Sequence, residues 1–220
     1  MVRITFGVMK RVLLLIGVIF ALCSCGEKQP SVDVEKEIKK TVTENLKKRM
    51  KNPDSFKIEY IDIKKDTVPY YFDRVIFSDI AALSEASDDY ERYSGMSDYW
   101  EDERRAAARQ MLSLSTKMLN AIEVAKYENS TNPIVDYIVC LKASGENSFG
   151  ATVSSRYICV VDSNDLSNVL CVYDLDNDFI EAIAALMVFD EDFKARLSKD
   201  RFGNYDKSKL TFVEQFILTD

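Results

Sequence analysis

A block of helical periodicity over residues 78–129 separates two stretches of β pattern, and this order of elements limits the folds open to the chain. One helical pattern begins at Ser78 and is interrupted at Gly95, and a second, longer pattern begins at Ser97. Apolar side chains line one side of each pattern: Ile80, Leu83, Ala86 and Tyr90 in the first, and Trp100, Ala107, Met111, Leu114, Met118, Ile122 and Ala125 in the second. Two amphipathic helices joined by a short turn predict an antiparallel helical hairpin.

Strand patterns flank this block on both sides. Four segments have the length and alternation of strands: residues 56–63, 134–143, 149–161 and 169–173. Short connections at 145–147 and 162–168 join the last three segments, which predicts an antiparallel meander. We therefore expect an α+β fold with an N-terminal helix, an antiparallel sheet of about four strands, a helical hairpin inserted after the first strand (78–129), and a C-terminal helix.

The first strand changes phase within its length. Phe56, Ile58 and Tyr60 share one parity, whereas Ile61 and Ile63 share the other. Successive side chains of a strand point to opposite faces, so a change of parity requires an irregularity if the apolar side chains are to stay on one face. The pattern predicts a β-bulge or a sharp twist between Tyr60 and Ile61.

The N-terminal helix is predicted over residues 31–51, with Ser31 or Asp33 as its N-cap. An apolar residue occurs at every fourth position: Val34, Ile38, Val42, Leu46 and Met50. Between residues 35 and 51 the chain carries seven Lys or Arg and three Glu. Two interpretations of this basic face stay open: contact with anionic lipid head groups, or a solvated face whose late cations suit the helix C-terminus.

The segment Asp174-Leu175-Asp176-Asn177-Asp178 resembles the start of a calcium-binding loop. Such a loop needs glycine at its sixth position and glutamate at its twelfth, where this chain has Phe179 and Ala185. We therefore predict no metal site here, and instead the acidic first turn of a helix that continues to about Ser198. Its predicted buried face consists of Phe179, Ile180, Ile183, Leu186 and Met187. Residues 210–218 form a last apolar element, helix or strand.

The amino-acid composition limits the reactions and the partners that the chain can have. The chain has no histidine, which is the most common general base and the most common metal ligand in proteins. We therefore expect no catalytic residues, and a pair of carboxylates in a cleft remains the alternative for a hydrolase. The net charge of −7 disfavours nucleic acid as a partner, because nonspecific binding of nucleic acid depends on cationic side chains at phosphates.

Three cysteines lie in the predicted strands: Cys140, Cys159 and Cys171. A turn centred near Asp165 makes Cys159 and Cys171 cross-strand neighbours, and this pair is the candidate disulfide. Because three thiols form at most one internal bond, buried free thiols are the alternative, and it is the one we favour.

The turn of the predicted hairpin is rich in aromatic and acidic residues. Tyr90, Tyr93, Tyr99 and Trp100 lie among carboxylates there. Aromatic rings beside carboxylates suit a glycan or a protein partner, so these four residues are a candidate binding surface. The alternative is a solvated tip whose ring faces fold onto the core.

The first 26 residues have the organisation of an export signal. Lys10 and Arg11 precede an apolar run, Val12 to Leu22, that is too short to span a bilayer. The following residues, Leu22-Cys23-Ser24-Cys25, resemble the lipobox of bacterial lipoproteins: an aliphatic residue, two small residues and a cysteine. The departure from the usual pattern is Cys23, where alanine, serine or threonine is more common.

The lipoprotein resemblance implies a lipid on Cys25 and cleavage just before it. Residues 1–24 are then the signal peptide, 25–31 a lipidated tether, and 32–220 a single domain. Removal of the signal leaves 26 Lys and Arg against 36 Asp and Glu, a net charge of −10. The resemblance implies contact with the lipoprotein-processing and sorting machinery, and a position in the bacterial cell envelope, at the outer membrane on its periplasmic or surface side. It implies no cofactor other than the covalent lipid.

A second resemblance rests on two turns, Asn52-Pro53-Asp54-Ser55 and Asn147-Ser148-Phe149-Gly150. They look like the paired turns of a loose family of small exported bacterial proteins without an assigned activity. The resemblance covers about residues 34–162, with the helical hairpin as a variable insert, and it implies a fold only. Both motifs consist of residue types that favour turns: Pro and Asp in the first, and Asn and Gly in the second. They form a shared surface if they lie at one end of the sheet; otherwise they simply shape the core.

Taken together, these features favour a membrane-anchored envelope lipoprotein that binds or braces a partner, an envelope protein or a glycan, without catalysing a reaction. Two alternatives stay open. One is a glycan or ligand binder that uses the acidic-aromatic hairpin tip, and the other is a carboxylate-dependent hydrolase.

Overall fold

The computed structural model describes residues 30–96, 98–147, 149–176, 178–201 and 203–218. The export signal, Cys25 and most of the tether lie outside these residues, as do Ser97 and Ser148. The described chain has the predicted α+β fold, with one four-stranded antiparallel sheet and helices on both of its faces. Among the described residues, no helix combines the length and apolar character needed to cross a membrane.

The sheet confirms the predicted order of strands. Its strands are β1 (Lys57–Thr67), β2 (Val135–Glu146), β3 (Thr152–Val161) and β4 (Val169–Asp174). They lie in the order β1-β2-β3-β4, and every neighbouring pair is antiparallel. The long connection from β1 to β2 holds the helical insert, and short turns join the other strands.

A β-bulge interrupts β1 one residue earlier than predicted. The register shifts between Ile58, which lies opposite Ala143, and Tyr60, which lies opposite Lys142, so Glu59 is the extra residue. A bulge places two successive side chains on one face of the sheet. The sequence-based prediction grouped Tyr60 with the apolar side chains; the structure places it on the opposite face from Ile58 because of this shift.

One face of the sheet packs against helix α1 (Val32–Lys47). The side chain of Ser31 caps this helix by accepting a hydrogen bond from the Val34 N–H at 3.4 Å, as predicted. The helix ends at Lys47, four residues before the predicted end. The core on this side, called the α1 core, contains Ile38, Val42, Leu46, Ile63, Val139, Leu141, Ala143, Cys159 and Val161.

The other face carries the predicted helical hairpin, α2 (Arg74–Ser94) and α3 (Glu101–Thr131). The hairpin is longer than residues 78–129 because Asp73, rather than Ser78, caps α2 through the Val75 N–H at 2.7 Å. A short 3₁₀ turn, Asp98–Trp100, precedes α3. The base of the hairpin belongs to the larger core, called the helical core, with Ile76, Ile80, Met118, Ile122, Ile138, Cys140, Ile158 and Val160.

Three short helices complete the helical core: α4 (Asp178–Phe189), α5 (Glu191–Arg196) and α6 (Phe212–Ile217). The sequence predicted one helix to about Ser198, and this is wrong. Asp190 adopts an extended backbone and its carboxylate caps α5 by accepting from the N–H groups of Asp192 and Phe193 at 3.0 and 3.2 Å. Because the aspartate side chain accepts hydrogen bonds from the backbone N–H groups that follow it, it ends one helix and caps the next.

The candidate disulfide between Cys159 and Cys171 is not formed, and the three strand cysteines are free thiols. Cys159 lies opposite Val172, whereas Cys171 lies opposite Val160. The two sulfurs therefore point to opposite faces of the sheet: Cys159 enters the α1 core and Cys171 packs against the helical core. The alternative of free thiols is the one that the structure shows.

Candidate functional site

The first motif turn contacts the end of β2, directly before the second motif turn, at one end of the sheet, called the motif end. The hydroxyl of Ser55 donates to the Asn52 carbonyl at 2.8 Å and accepts from the Glu146 N–H at 2.8 Å. The side-chain amide of Asn52 donates to Glu146 Oε2 at 2.9 Å. These bonds fasten the start of β1 to the end of β2 and place the two turns at the same end of the sheet.

The second motif turn exposes a phenylalanine. Asn147 Oδ1 accepts hydrogen bonds from the N–H groups of Phe149 and Ala151, at 2.9 and 3.1 Å, which closes the turn. Gly150 follows with φ of 74°, a left-handed backbone that favours glycine. The result is a Phe149 side chain that is 91% exposed at the motif end.

A cleft of about 690 Å³ opens on the helical face of the sheet, towards the motif end. We call it the sheet-end cleft. Its lining residues lie in β1, β2 and β3, just after the end of β4, and in α6: Tyr60, Lys142, Ser154, Ser155, Arg156, Asp176 and Phe216. The helical core covers the middle of this face, at Cys140 and Ile158, and the cleft begins one row further along β2 and β3.

The floor of the cleft carries two ion pairs. Lys142 Nζ lies 3.5 Å from Glu59 Oε2, and the Ser154 hydroxyl donates to the same oxygen at 3.3 Å. Arg156 Nε lies 3.8 Å from Asp176 Oδ1, and Asp176 Oδ2 accepts from the Arg156 N–H at 3.1 Å. All four charged side chains are partly exposed, so these groups are both ordered by their partners and accessible from solvent.

The pKa of Glu59 lies below its ordinary value. The main cause is the hydrogen bond from the Ser144 hydroxyl. Burial opposes it, and the nearby ammonium of Lys142 and the Ser154 hydroxyl lower the pKa further. Glu59 is therefore a carboxylate at neutral pH. A general acid for glycoside hydrolysis needs a raised pKa, and Glu59 has the opposite shift.

An aromatic wall closes one side of the cleft. The rings of Tyr60 and Phe216 are nearly parallel, at 13°, with their centroids 6.1 Å apart. Tyr60 remains 49% exposed, and its hydroxyl donates to Asp62 at 3.4 Å. Partial burial, together with the Asp62 carboxylate, raises the pKa of Tyr60, so the phenol is neutral and its ring offers an apolar surface.

The predicted aromatic surface at the hairpin tip is partly assembled. Tyr93 and Trp100 stack at 5.7 Å with an interplanar angle of 19°, and Tyr99 meets Trp100 edge-on at 5.5 Å. Tyr99 is 82% exposed, and Tyr90, one turn before Tyr93, is partly exposed. The three rings contact one another at the tip rather than packing in either core of the described chain. The structure therefore does not fold them onto the core, and the described pockets lie elsewhere.

A buried polar network lies under the base of the hairpin. Asp190 accepts from the Tyr70 hydroxyl and contacts Lys126 Nζ at 3.2 Å. Burial raises the pKa of Asp190, but the hydrogen bonds from Tyr70, the Phe193 N–H and Lys126 outweigh it, and the net pKa is lowered. Because its members satisfy one another, we assign this network a structural role in joining α3 to α5.

No local sequence pattern predicts the sheet-end cleft. Its residues come from separate segments, and Lys142 and Arg156 have no distinctive spacing. The usable signal was the parity change in β1, since a bulge at Glu59 brings Glu59 and Tyr60 to one face. Among the described residues, no group of three or more Cys, Asp or Glu side chains is placed to hold a metal ion.

Comparison of the chain with models of protein families, with curated proteins and with solved structures finds no match.

Proposed function

We propose that this protein is a lipid-anchored, non-enzymatic binding module of the bacterial cell envelope, which is attached through Cys25 and presents the sheet-end cleft to a partner. The lipobox Leu22-Cys23-Ser24-Cys25 supports the anchor, and the open cleft with its aromatic wall and ordered charges supports binding. A membrane-attached position at the outer membrane is part of the same proposal.

The observation that carries this proposal is the length of α1, which separates the end of the tether from the motif end. The tether enters α1 at Ser31, and α1 has 16 residues, about 24 Å of helix. The chain then reaches the motif end, where Met50 packs beside Gly145. The tether of residues 25–31 spans at most about 25 Å. The end of the tether at Ser31 and the motif end therefore lie at opposite ends of α1, which supports a cleft that stays accessible in an anchored molecule.

The anchor is tested by metabolic labelling with a fatty acid. Cys25→Ala should abolish the label and leave the protein soluble or uncleaved, whereas Cys23→Ala, the matched control, should keep the label. A wild-type protein that stays in the membrane fraction without a label would refute the anchor.

The binding surface is tested with a photo-crosslinking amino acid in the native envelope. We expect adducts from position Ser154, in the cleft, and none from Lys40, on the solvent face of α1. Adducts from Lys40 alone would refute the cleft as the binding surface.

The aromatic hairpin tip is the second candidate surface, because Tyr99 is largely exposed beside the stacked pair Tyr93 and Trp100. Exposed rings of this kind suit a glycan or a protein partner. The same crosslinker at Tyr99 decides between the surfaces: adducts there, with none at Ser154, would assign binding to the tip.

A further inference from the structure

Two cations face each other across the floor of the sheet-end cleft. Lys142 and Arg156 are direct partners in the register of β2 and β3, and both side chains point to the helical face. Such cross-strand partners have Cα atoms about 4.5–5.5 Å apart. Like charges in this position repel and destabilise a sheet, so this pair has a cost unless negative charge lies nearby.

The compensating acids lie on the outer sides of the cation pair. Glu59 approaches Lys142, and Asp176 approaches Arg156, whose Nη1 also donates to the Ile217 carbonyl at 3.4 Å. The four groups sum to zero net charge. A monoanion between Lys142 and Arg156 would be attracted by both cations. A carboxylate suits this position, because its planar shape matches a guanidinium group.

An apolar surface lies one strand away from this position. Tyr60 is the direct β1 partner of Lys142, and Phe216 stacks on Tyr60. Neighbouring strands are about 4.8 Å apart, so the ring of Tyr60 lies about one strand spacing from Lys142 and two from Arg156. A ligand that uses both features therefore needs an apolar group close to its carboxylate.

We infer that the sheet-end cleft binds a carboxylate monoanion with an adjacent apolar group, as in the C-terminal residue of a peptide or a free arylalkyl carboxylate. The carboxylate lies between Lys142 and Arg156, and the apolar group lies against Tyr60 and Phe216. This inference rests on the proposed function, which places binding in the cleft, and adds the chemical class of the ligand.

The probe is N-acetyl-L-phenylalanine, and its uncharged amide is the matched ligand control. Binding to the chain purified in detergent is measured by saturation-transfer NMR and titration calorimetry. We expect the acid to bind at least about tenfold more tightly than the amide, since a charge-assisted hydrogen bond contributes more than a neutral one. Lys142→Gln and Arg156→Gln should each lower the affinity for the acid about tenfold.

Two further variants control for a loss of binding that is caused by unfolding. Arg156→Lys keeps the charge and should retain more affinity than Arg156→Gln, and Lys65→Gln, on the opposite face of β1, should leave affinity unchanged. Equal binding of acid and amide, absence of binding, or acid binding that survives both glutamine variants would overturn the inference. A peptide ending in phenylalanine that binds more tightly than 3-phenylpropanoate assigns the ligand to a peptide terminus, and the reverse assigns it to a free carboxylate.

The outcomes separate this inference from the proposed function. Crosslinks at Ser154 without selectivity for the acid would overturn the ligand class and leave the binding role standing. Selectivity for the acid without crosslinks in the envelope would support the ligand class and count against the proposed partner.

Discussion

Replacement of Glu214 should reveal how strongly the last helix is fixed to the domain. Glu214 is fully buried, and one carboxylate oxygen lies 3.3 and 3.2 Å from two nitrogens of Arg196. The other oxygen accepts from the Thr211 N–H at 2.8 Å and completes a capping box at the start of α6. One side chain therefore joins α5 to α6 and caps α6.

The expected cost follows from these contacts. Breaking a buried ion pair costs about 3–5 kcal/mol, but the Arg196 side chain is 29% exposed and regains some hydration, so Glu214→Gln should cost about 2–3 kcal/mol. Glutamine keeps an acceptor for the Thr211 N–H. Glu214→Ala also loses this cap, which adds about 1 kcal/mol, and Thr211→Ala alone should cost about 1 kcal/mol.

The assay is urea denaturation followed by circular dichroism, supported by thermal melts. For a domain of this size, 2–3 kcal/mol corresponds to a fall in Tm of about 4–12 °C. The matched control is Glu191→Gln, whose exposed pair with Lys194 at 3.3 Å should contribute less than about 1 kcal/mol.

The result that refutes the reasoning is Glu214→Gln within about 0.5 kcal/mol of the wild type. That outcome would mean that hydration of Arg196 in the variant replaces the lost ion pair, and that the buried charge does not stabilise the contact between α5 and α6.

Three further predictions follow from the described contacts. Asp190→Asn keeps the N-cap but loses the charge, so it should cost about 1–3 kcal/mol at neutral pH. Because the folded-state pKa of Asp190 is lowered, the difference from wild type should shrink as the pH falls below about 4, and a constant difference in urea melts across pH would contradict this. Gly150→Ala should destabilise by about 1 kcal/mol because φ is 74°, whereas Gly95→Ala, equally open but with φ of −85°, should be neutral or slightly stabilising in the same melts. Burial raises the pKa of the Cys140 and Cys159 thiols, so iodoacetamide should label them only after unfolding; rapid labelling of the native protein in a peptide map would count against their burial.

Periodicity predicted the parts of the fold that repeat along the chain. The helical hairpin follows from apolar positions such as Ile80 and Met118, which the structure buries, and the four strands follow from alternation. These predictions are confirmed because a long amphipathic segment can bury its apolar side chains in only a few arrangements.

Predictions that depended on a single residue's register were less successful. The Cys159–Cys171 pair assumed a symmetric turn, and a shift of one residue placed the sulfurs on opposite faces. Asp190 ends a helix that apolar periodicity alone would continue, since its side chain competes for the backbone N–H groups of the next turn. The sheet-end cleft depends on the bulge at Glu59 and on residues far apart in sequence, and no local pattern encodes their meeting.

The bulge in β1 also affects how copies of the protein meet each other. β1 is an edge strand, and a long regular edge offers unpaired backbone groups to a strand from another molecule. The extra residue at Glu59 interrupts that row, and β1 carries charged side chains at Lys57, Asp62, Lys64, Lys65 and Asp66. An inserted residue and charged side chains along the edge make edge-to-edge association unfavourable. The irregularity that shapes the cleft therefore also protects the sheet against aggregation when many copies are crowded together.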